Sequence, residues 1–375
     1  MKKFILYLVV FAFGTFNINA QSTNYPSDTW KKITVNCKVG FVDPEGKIMI
    51  EPQYENAGQF SDGVAFVWSY PGKEEDKATV PLGEDYVSHE RFNLKGNRRT
   101  GIIDSTGKYI MEPKINFNGA AFREGVSLVR IDKGVQIVDR TGKIVTAESQ
   151  IMKGNKRSVL LMARYDAKLP VKWCFINPMK ELIMGPFDKC ELFYENLAAV
   201  RLGKQYGYVN RNGDMVIYPK FITATSFNEG HATVSVDKGE EANYPQSYGV
   251  IDTSGTFIIP PSYSWLGKLS EGRIAYKMYK NGSVVYGFLN LKGEIVIEAQ
   301  YTEAFEFHDG LASFRIDDKE GYIDINGKIV IQPNYSIAGT FRYGTAYVSI
   351  GKNKKALINT EGEIIWGPEK DKNCW

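Results

Sequence analysis

The sequence predicts an all-β protein: a tandem array of about nine three-stranded antiparallel repeats. Three observations carry this. Tyr and Phe together reach 43 and Gly 36 in 375 residues, a strand- and turn-rich balance. One short phrase recurs at near-regular spacing along the chain. Each copy places Gly, Pro and Asp or Asn at fixed offsets between short apolar runs, where hairpins need them.

The chain opens on a different kind of segment. Lys2 and Lys3 precede an apolar run from Phe4 to Phe13, and small or polar residues lead to Ala20 and then Gln21. This is the layout of a bacterial secretory signal peptide, so residues 1–20 are expected to be a removed leader and the protein to be exported, to the periplasm or the cell surface. As a helix, Phe4 to Phe16 would span about 20 Å, short of a bilayer core of roughly 30 Å. No membrane span is expected once the leader is gone.

After a lead-in over 21–37, the array occupies 38–375. Its phrase reads Gly, aromatic or aliphatic, Val or Ile, Asp or Asn, two residues, Gly, then a β-branched run and Pro. The Asp or Asn falls at Asp43, Asp104, Asp139, Asn177, Asn210, Asp252, Asn290, Asp324 and Asn359, with spacings of 61, 35, 38, 33, 42, 38, 34 and 35. Glycine follows three residues later in eight of nine copies, among them Gly46, Gly107, Gly213, Gly255, Gly293 and Gly327. Asp bonds its own backbone and Gly accepts positive φ, so these positions are read as hairpin turns. Pro52 and its counterparts are expected to end the second strand, since proline cannot donate to a ladder. A second phrase, Phe60-Ser61-Asp62-Gly63-Val64-Ala65, recurs from Phe122, Phe227, Phe307 and Phe341 and reads as a turn into a third strand. A unit of about 35 residues is too small to bury a core alone, so stacking on neighbours must supply it.

The repeated Gly-Tyr-Ile-Asp-x-x-Gly-Lys-Ile-Val-Ile-x-Pro-x-Tyr, best seen from Gly321 to Tyr335 and closed by Phe341 to Ala346, resembles the WG-repeat family. The resemblance covers roughly 38–368. No copy contains the Trp-Gly pair; Tyr precedes Gly at Tyr206, Tyr248 and Tyr286. It implies an all-β repeat module of mostly bacterial proteins with no general enzymatic activity and no transferable catalytic residues.

Nine copies and uneven spacing favour an open superhelical array, with a closed propeller-like ring as the alternative. The ninth copy stops after its hairpin, where an N-terminal strand could complete it, and Cys37 and Cys374 stand at the two ends. Four cysteines in an exported chain suggest two disulfides, Cys174–Cys190 and Cys37–Cys374 being the preferred pairing of the three possible. The stretch 69–99, rich in charge, is an insertion between the first two copies.

Sites for chemistry are sparse. The formal charge is +3, or +1 without the two leader lysines, which argues against bulk capture of nucleic acid. The three histidines, His89, His231 and His308, show no metal-ligand spacing, and neither a nucleophile elbow nor a phosphate loop occurs. A catalytic residue, metal or cofactor is therefore not expected. The leading function is a protein-interaction or scaffold module. Glycan binding is the alternative, with Trp68, Trp265 and Trp366 as stacking candidates.

Overall fold

The computed structural model describes residues 25–69, 99–115, 118–119, 121–123, 125–131, 134–145, 161–164, 173–176, 182–239, 246–351 and 354–370. The leader, most of the insertion, His89 and Cys374 lie outside the described residues, as does the Cys174 side chain. No described helix is long and apolar enough to cross a membrane.

The described residues form an antiparallel meander of nine separately hydrogen-bonded sheets. Sheet 1 comprises Lys31–Val35, Lys38–Val42 and Ile48–Tyr54, preceded by a short 3-10 turn at Ser27–Thr29. Sheets 2 to 9 follow over 56–115, 118–139, 161–187, 189–221, 223–263, 266–301, 303–335 and 337–370. Six of the nine have four strands rather than the three expected. The additional strand is in most cases only two residues, such as Asn56–Ala57 or Thr223–Ala224, too short to leave a periodic signal. The sequence repeat is also out of phase with the sheets. Its hairpin closes one sheet, and its third strand, such as Val64–Ser69, belongs to the next.

In each complete sheet the short strand and the first long strand are inner, and the last strand is outer. Val64–Ser69 is almost wholly buried, whereas Ile48–Tyr54 alternates between buried and exposed. Proline does not end the outer strand. Ile48–Tyr54 runs through Pro52, which sits in a bulge where Gly40 faces the stretch between Ile50 and Tyr54. A Cβ on Gly40 would lie 2.5 Å from the Ile50 carbonyl oxygen and 2.6 Å from the Pro52 nitrogen, so the close approach of backbones demands glycine there. The bulge interrupts the ladder at this point, so a residue with no N–H to satisfy fits it.

Two sheets solve the bulge differently. Cys174 and Ala356 take the glycine place in sheets 4 and 9, and there the outer strands carry Gly185-Pro186 and Gly367-Pro368, both with cis peptide bonds. Trp173 pairs with Phe187 and Lys355 with Glu369, one residue closer than the Glu320–Tyr335 pairing of sheet 8. Glycine has moved across the bulge, and the bulge has lost a residue. Trp173 thereby stands in the register of Tyr206, Tyr248 and Tyr286, with Cys174 in place of the glycine.

The core is divided among the junctions. Each apolar cluster joins two consecutive sheets: Phe41, Ile50 and Tyr54 pack with Ala65 and Val67, and Tyr322 and Ile331 pack with Phe341 and Val348. Ring pairs recur at these junctions, Tyr208–Phe227, Phe288–Phe307 and Tyr322–Phe341 meeting edge to face at 4.7–4.9 Å.

The last sheet meets the first in the same way. Ile33 and Val42 cluster with Leu357, with Ile365 and Trp366 packed against them. Tyr347 donates its hydroxyl hydrogen bond to the Lys32 carbonyl, 315 residues earlier in the chain. Turn glycines repeatedly abut the outer strand of the preceding sheet, as Gly255 does Ile217 and Gly362 does Ile331; Gly46 of sheet 1 abuts Ile365 of sheet 9. The first and last sheets of the array therefore meet, the contact that the ring alternative calls for, and it buries apolar surface that a free end would leave in water. In repeat terms Lys31–Val35 is the strand that the ninth copy lacks.

Candidate interaction face

Successive strands alternate in direction, so the array has two unlike faces. One collects both kinds of turn. In the hairpin turns, Asp43 Oδ1 accepts the N–H groups of Glu45 and Lys47 at 3.0 and 2.9 Å, and the Gly46 N–H reaches the Asp43 carbonyl. The arrangement repeats at Asp104, Asn210, Asp252, Asn290 and Asp324, with Gly107, Gly213, Gly255, Gly293 and Gly327 all at positive φ. These oxygens are occupied by backbone donors within their own turns. In Asp252 the Ser254 hydroxyl, then the Thr256 N–H, hold the carboxyl below its usual pKa. In Asp104 burial opposes ionisation, but hydrogen bonds from Thr106 and Lys108 and the Lys108 charge outweigh it and lower the pKa.

The second kind of turn links the sheets. Asp62 and Gly63 both have positive φ, as a two-residue hairpin turn with matching twist requires. The carboxylate of one turn accepts the glycine N–H of the next. Asp28 bonds Gly63, Asp62 bonds Gly125, Glu195 bonds Gly230, Glu229 bonds Gly272, Glu271 bonds Gly310 and Asp309 bonds Gly344, all at 2.7–2.9 Å. This latch from sheet to sheet has no counterpart in the sequence reading, although the recurring Asp or Glu before Gly was its visible trace. At the seam Tyr343 replaces the acid. Lys31 stands there with its pKa lowered to about 8, first by burial and then by the Arg342 charge, against the opposing pull of Asp309.

The opposite face carries the loops between the first and second long strands, and variation in repeat length collects there. Sheets 1, 5 and 8 turn on two residues, Asn36-Cys37, Gly203-Lys204 and Asp317-Asp318. Sheet 2 pairs Ser69 with Arg99, so the insertion falls in sequence between two paired strands, which is the origin of the 61-residue spacing. Sheet 6 opens a loop between Asp237 and Gln246, and sheet 7 lengthens its strands to Arg273–Lys280 and Ser283–Leu289.

The two described histidines do not converge. His231 Nδ1 lies 2.5 Å from the Glu229 carbonyl oxygen in sheet 6, and His308 lies 3.6 Å from Glu306 in sheet 8. Among the described residues no group of three or more His, Cys, Asp or Glu could hold a metal ion. Trp68 is buried in the cluster between sheets 2 and 3, which removes it as a stacking platform. Trp265 packs edge-on against Tyr286, and Trp366 is half-buried at the seam. Cys190 is buried with Met184, Phe187 and Val200 between sheets 4 and 5.

The profile of the WG containing repeat family matches residues 40–67, 175–206, 206–239, 248–281, 286–319 and 321–354, together more than half of the chain. The protein belongs to the WG-repeat family. Each matched unit spans parts of two consecutive sheets. No curated protein matches the sequence significantly. Among solved structures, a eukaryotic initiation factor is similar at 12% identity and a TM-score of 0.46, covering 81% of this chain and 84% of that one. BamB from Moraxella catarrhalis is similar at 11% identity and 0.35, covering 89% and 92%. The WD40 β-propeller domain of Doa1 is similar at 9% identity and 0.30, covering 68% and 85%.

Proposed function

We propose that this WG-repeat protein is an exported, non-enzymatic interaction module that engages a protein partner through its loop face. One observation carries the reading: the turn face satisfies its own polar groups in a sheet-to-sheet latch, while length and composition vary on the loop face. A rigid scaffold bearing variable loops is a common way to build a recognition surface. The glycan alternative draws less support, because the tryptophans it would use are buried or packed.

Export to an oxidising compartment is part of the same proposal. It includes a disulfide from Cys37, which lies in the tight turn of sheet 1 on the loop face. Cys374 is the proposed partner. The chain leaves sheet 9 at Lys370, paired with Lys354 on that same face, next to sheet 1.

The test is a pull-down from bacterial envelope fractions, untreated or protease-digested, using the chain from Gln21. A parallel bait has 70–98 replaced by Asn-Gly. A defined protein retained only from untreated fractions, and weakened by the replacement, is the expected result. Polysaccharide that survives proteolysis would overturn it in favour of glycan binding.

A further inference from the structure

The hairpin of sheet 7 projects beyond that of sheet 8. Relative to the glycine of the third strand, its pairing continues through Met278–Val285, Tyr279–Val284 and Lys280–Ser283, whereas sheet 8 closes at Ile316–Lys319. Two further residue pairs at 3.4 Å each lift the tip about 7 Å above the adjoining turn. The tip is closed by Asn281-Gly282, both at positive φ, the two-residue turn that holds a hairpin rigid.

What this finger displays is unusual for a solvated loop. Tyr279 is 67% exposed, Val284 44% and Met278 41%, while Lys280 is exposed beside them. Tyr279 and Val284 are direct cross-strand partners, so their side chains share one face. No acidic residue occurs from Gly272 to Gly293, in a chain that is otherwise close to charge balance. Asp317 and Asp318 cap the hairpin of sheet 8 two residue pairs lower, so an acidic partner is turned away from that base and reaches only the tip.

We infer that this finger docks an acidic, apolar segment of a partner protein: carboxylates meet Lys277 and Lys280, and an aliphatic or aromatic side chain packs on Tyr279 and Val284. The inference rests on the interaction-module reading and names the chemistry of the partner. Preordered strands lower the entropic cost of binding, and an exposed Tyr beside Lys offers both contact area and charge.

The probe is a phage-displayed library of random twelve-residue peptides selected on the purified chain from Gln21. Enriched peptides should cluster Asp or Glu next to Leu, Ile or Phe, and a synthetic representative should bind more weakly as salt rises. Lys277→Glu/Lys280→Glu and, separately, Tyr279→Ser/Val284→Ser should each weaken it at least tenfold. Both variants should melt with the parent, because the tip lies above the inter-sheet core. Enriched peptides without acids, or binding that neither pair of substitutions alters, would overturn the assignment. So would equal, variant-sensitive binding to phosphatidylcholine–phosphatidylglycerol vesicles, which would point to an anionic membrane surface. If these variants keep the envelope protein captured by the parent in full, the finger is refuted while the interaction module stands.

Discussion

Gly321 offers a direct test of what the recurring glycine does. An alanine Cβ there would lie 2.5 Å from the Ile331 carbonyl oxygen, 2.7 Å from the Pro333 nitrogen and 2.9 Å from the Gln332 carbonyl carbon. All three are backbone atoms of the outer strand, so relief requires the two strands to part rather than a side chain to turn. Overpacking of this kind costs about 1–3 kcal/mol, and with backbone on every side Gly321→Ala belongs near 3. Sheet 9 supplies the internal control, since Ala356 occupies the same place opposite Gly367-Pro368. Replacing Gln332-Pro333-Asn334 by Gly-Pro should therefore recover most of the loss in the Gly321→Ala background, and should by itself destabilise the parent. The assay is urea denaturation followed by far-ultraviolet circular dichroism, with hydrogen exchange reporting sheets 7 to 9. A Gly321→Ala cost under about 0.5 kcal/mol, or additive losses in the combined variant, would refute backbone crowding as the reason for glycine.

Other consequences follow from the junctions. Tyr208 donates a 2.7 Å hydrogen bond to the Thr225 carbonyl of the next sheet, so Tyr208→Phe should cost about 1 kcal/mol in urea denaturation. Burial, followed by the influence of Tyr109 and Asp104, raises the Tyr54 pKa from its usual 10 to about 12. A raised folded-state value means its contribution is complete below about pH 10 and is lost as pH climbs towards 12, with Tyr208 and Tyr322 shifted upward as well. Circular dichroism alongside tyrosinate absorbance should show unfolding and ionisation together in that window. For Asp104 and Asp252 the sign reverses: their lowered values give stability that is present above the ordinary carboxylate pKa of about 4 and lost on further acidification, so Asp252→Ala should flatten the acid limb. Asp309→Ala removes the acceptor for the Gly344 N–H and should raise exchange of that amide selectively, an effect readable by hydrogen-exchange mass spectrometry.

The local elements were legible in the residues alone. Asp43 and Gly46 announce a turn because their chemistry is satisfied within five residues, and Phe60 to Val64 announces the next turn for the same reason. The count of copies was equally legible. Features that depend on distant backbone became visible only in the fold. Asn56–Ala57 is a strand only because Val67 and Trp68 lie beside it, and two residues have no periodicity to display. Pro52 lies within its strand because the bulge facing Gly40 makes room for a residue without an N–H. The direction in which the glycine moved in sheets 4 and 9 depends on the facing strand, so a single strand's pattern cannot show it. Closure turns on Gly46 meeting Ile365 and Ile33 meeting Leu357, contacts between the two ends that no local pattern encodes. They form because the two end sheets each present an apolar face, which Ile33, Val42 and Leu357 bury together.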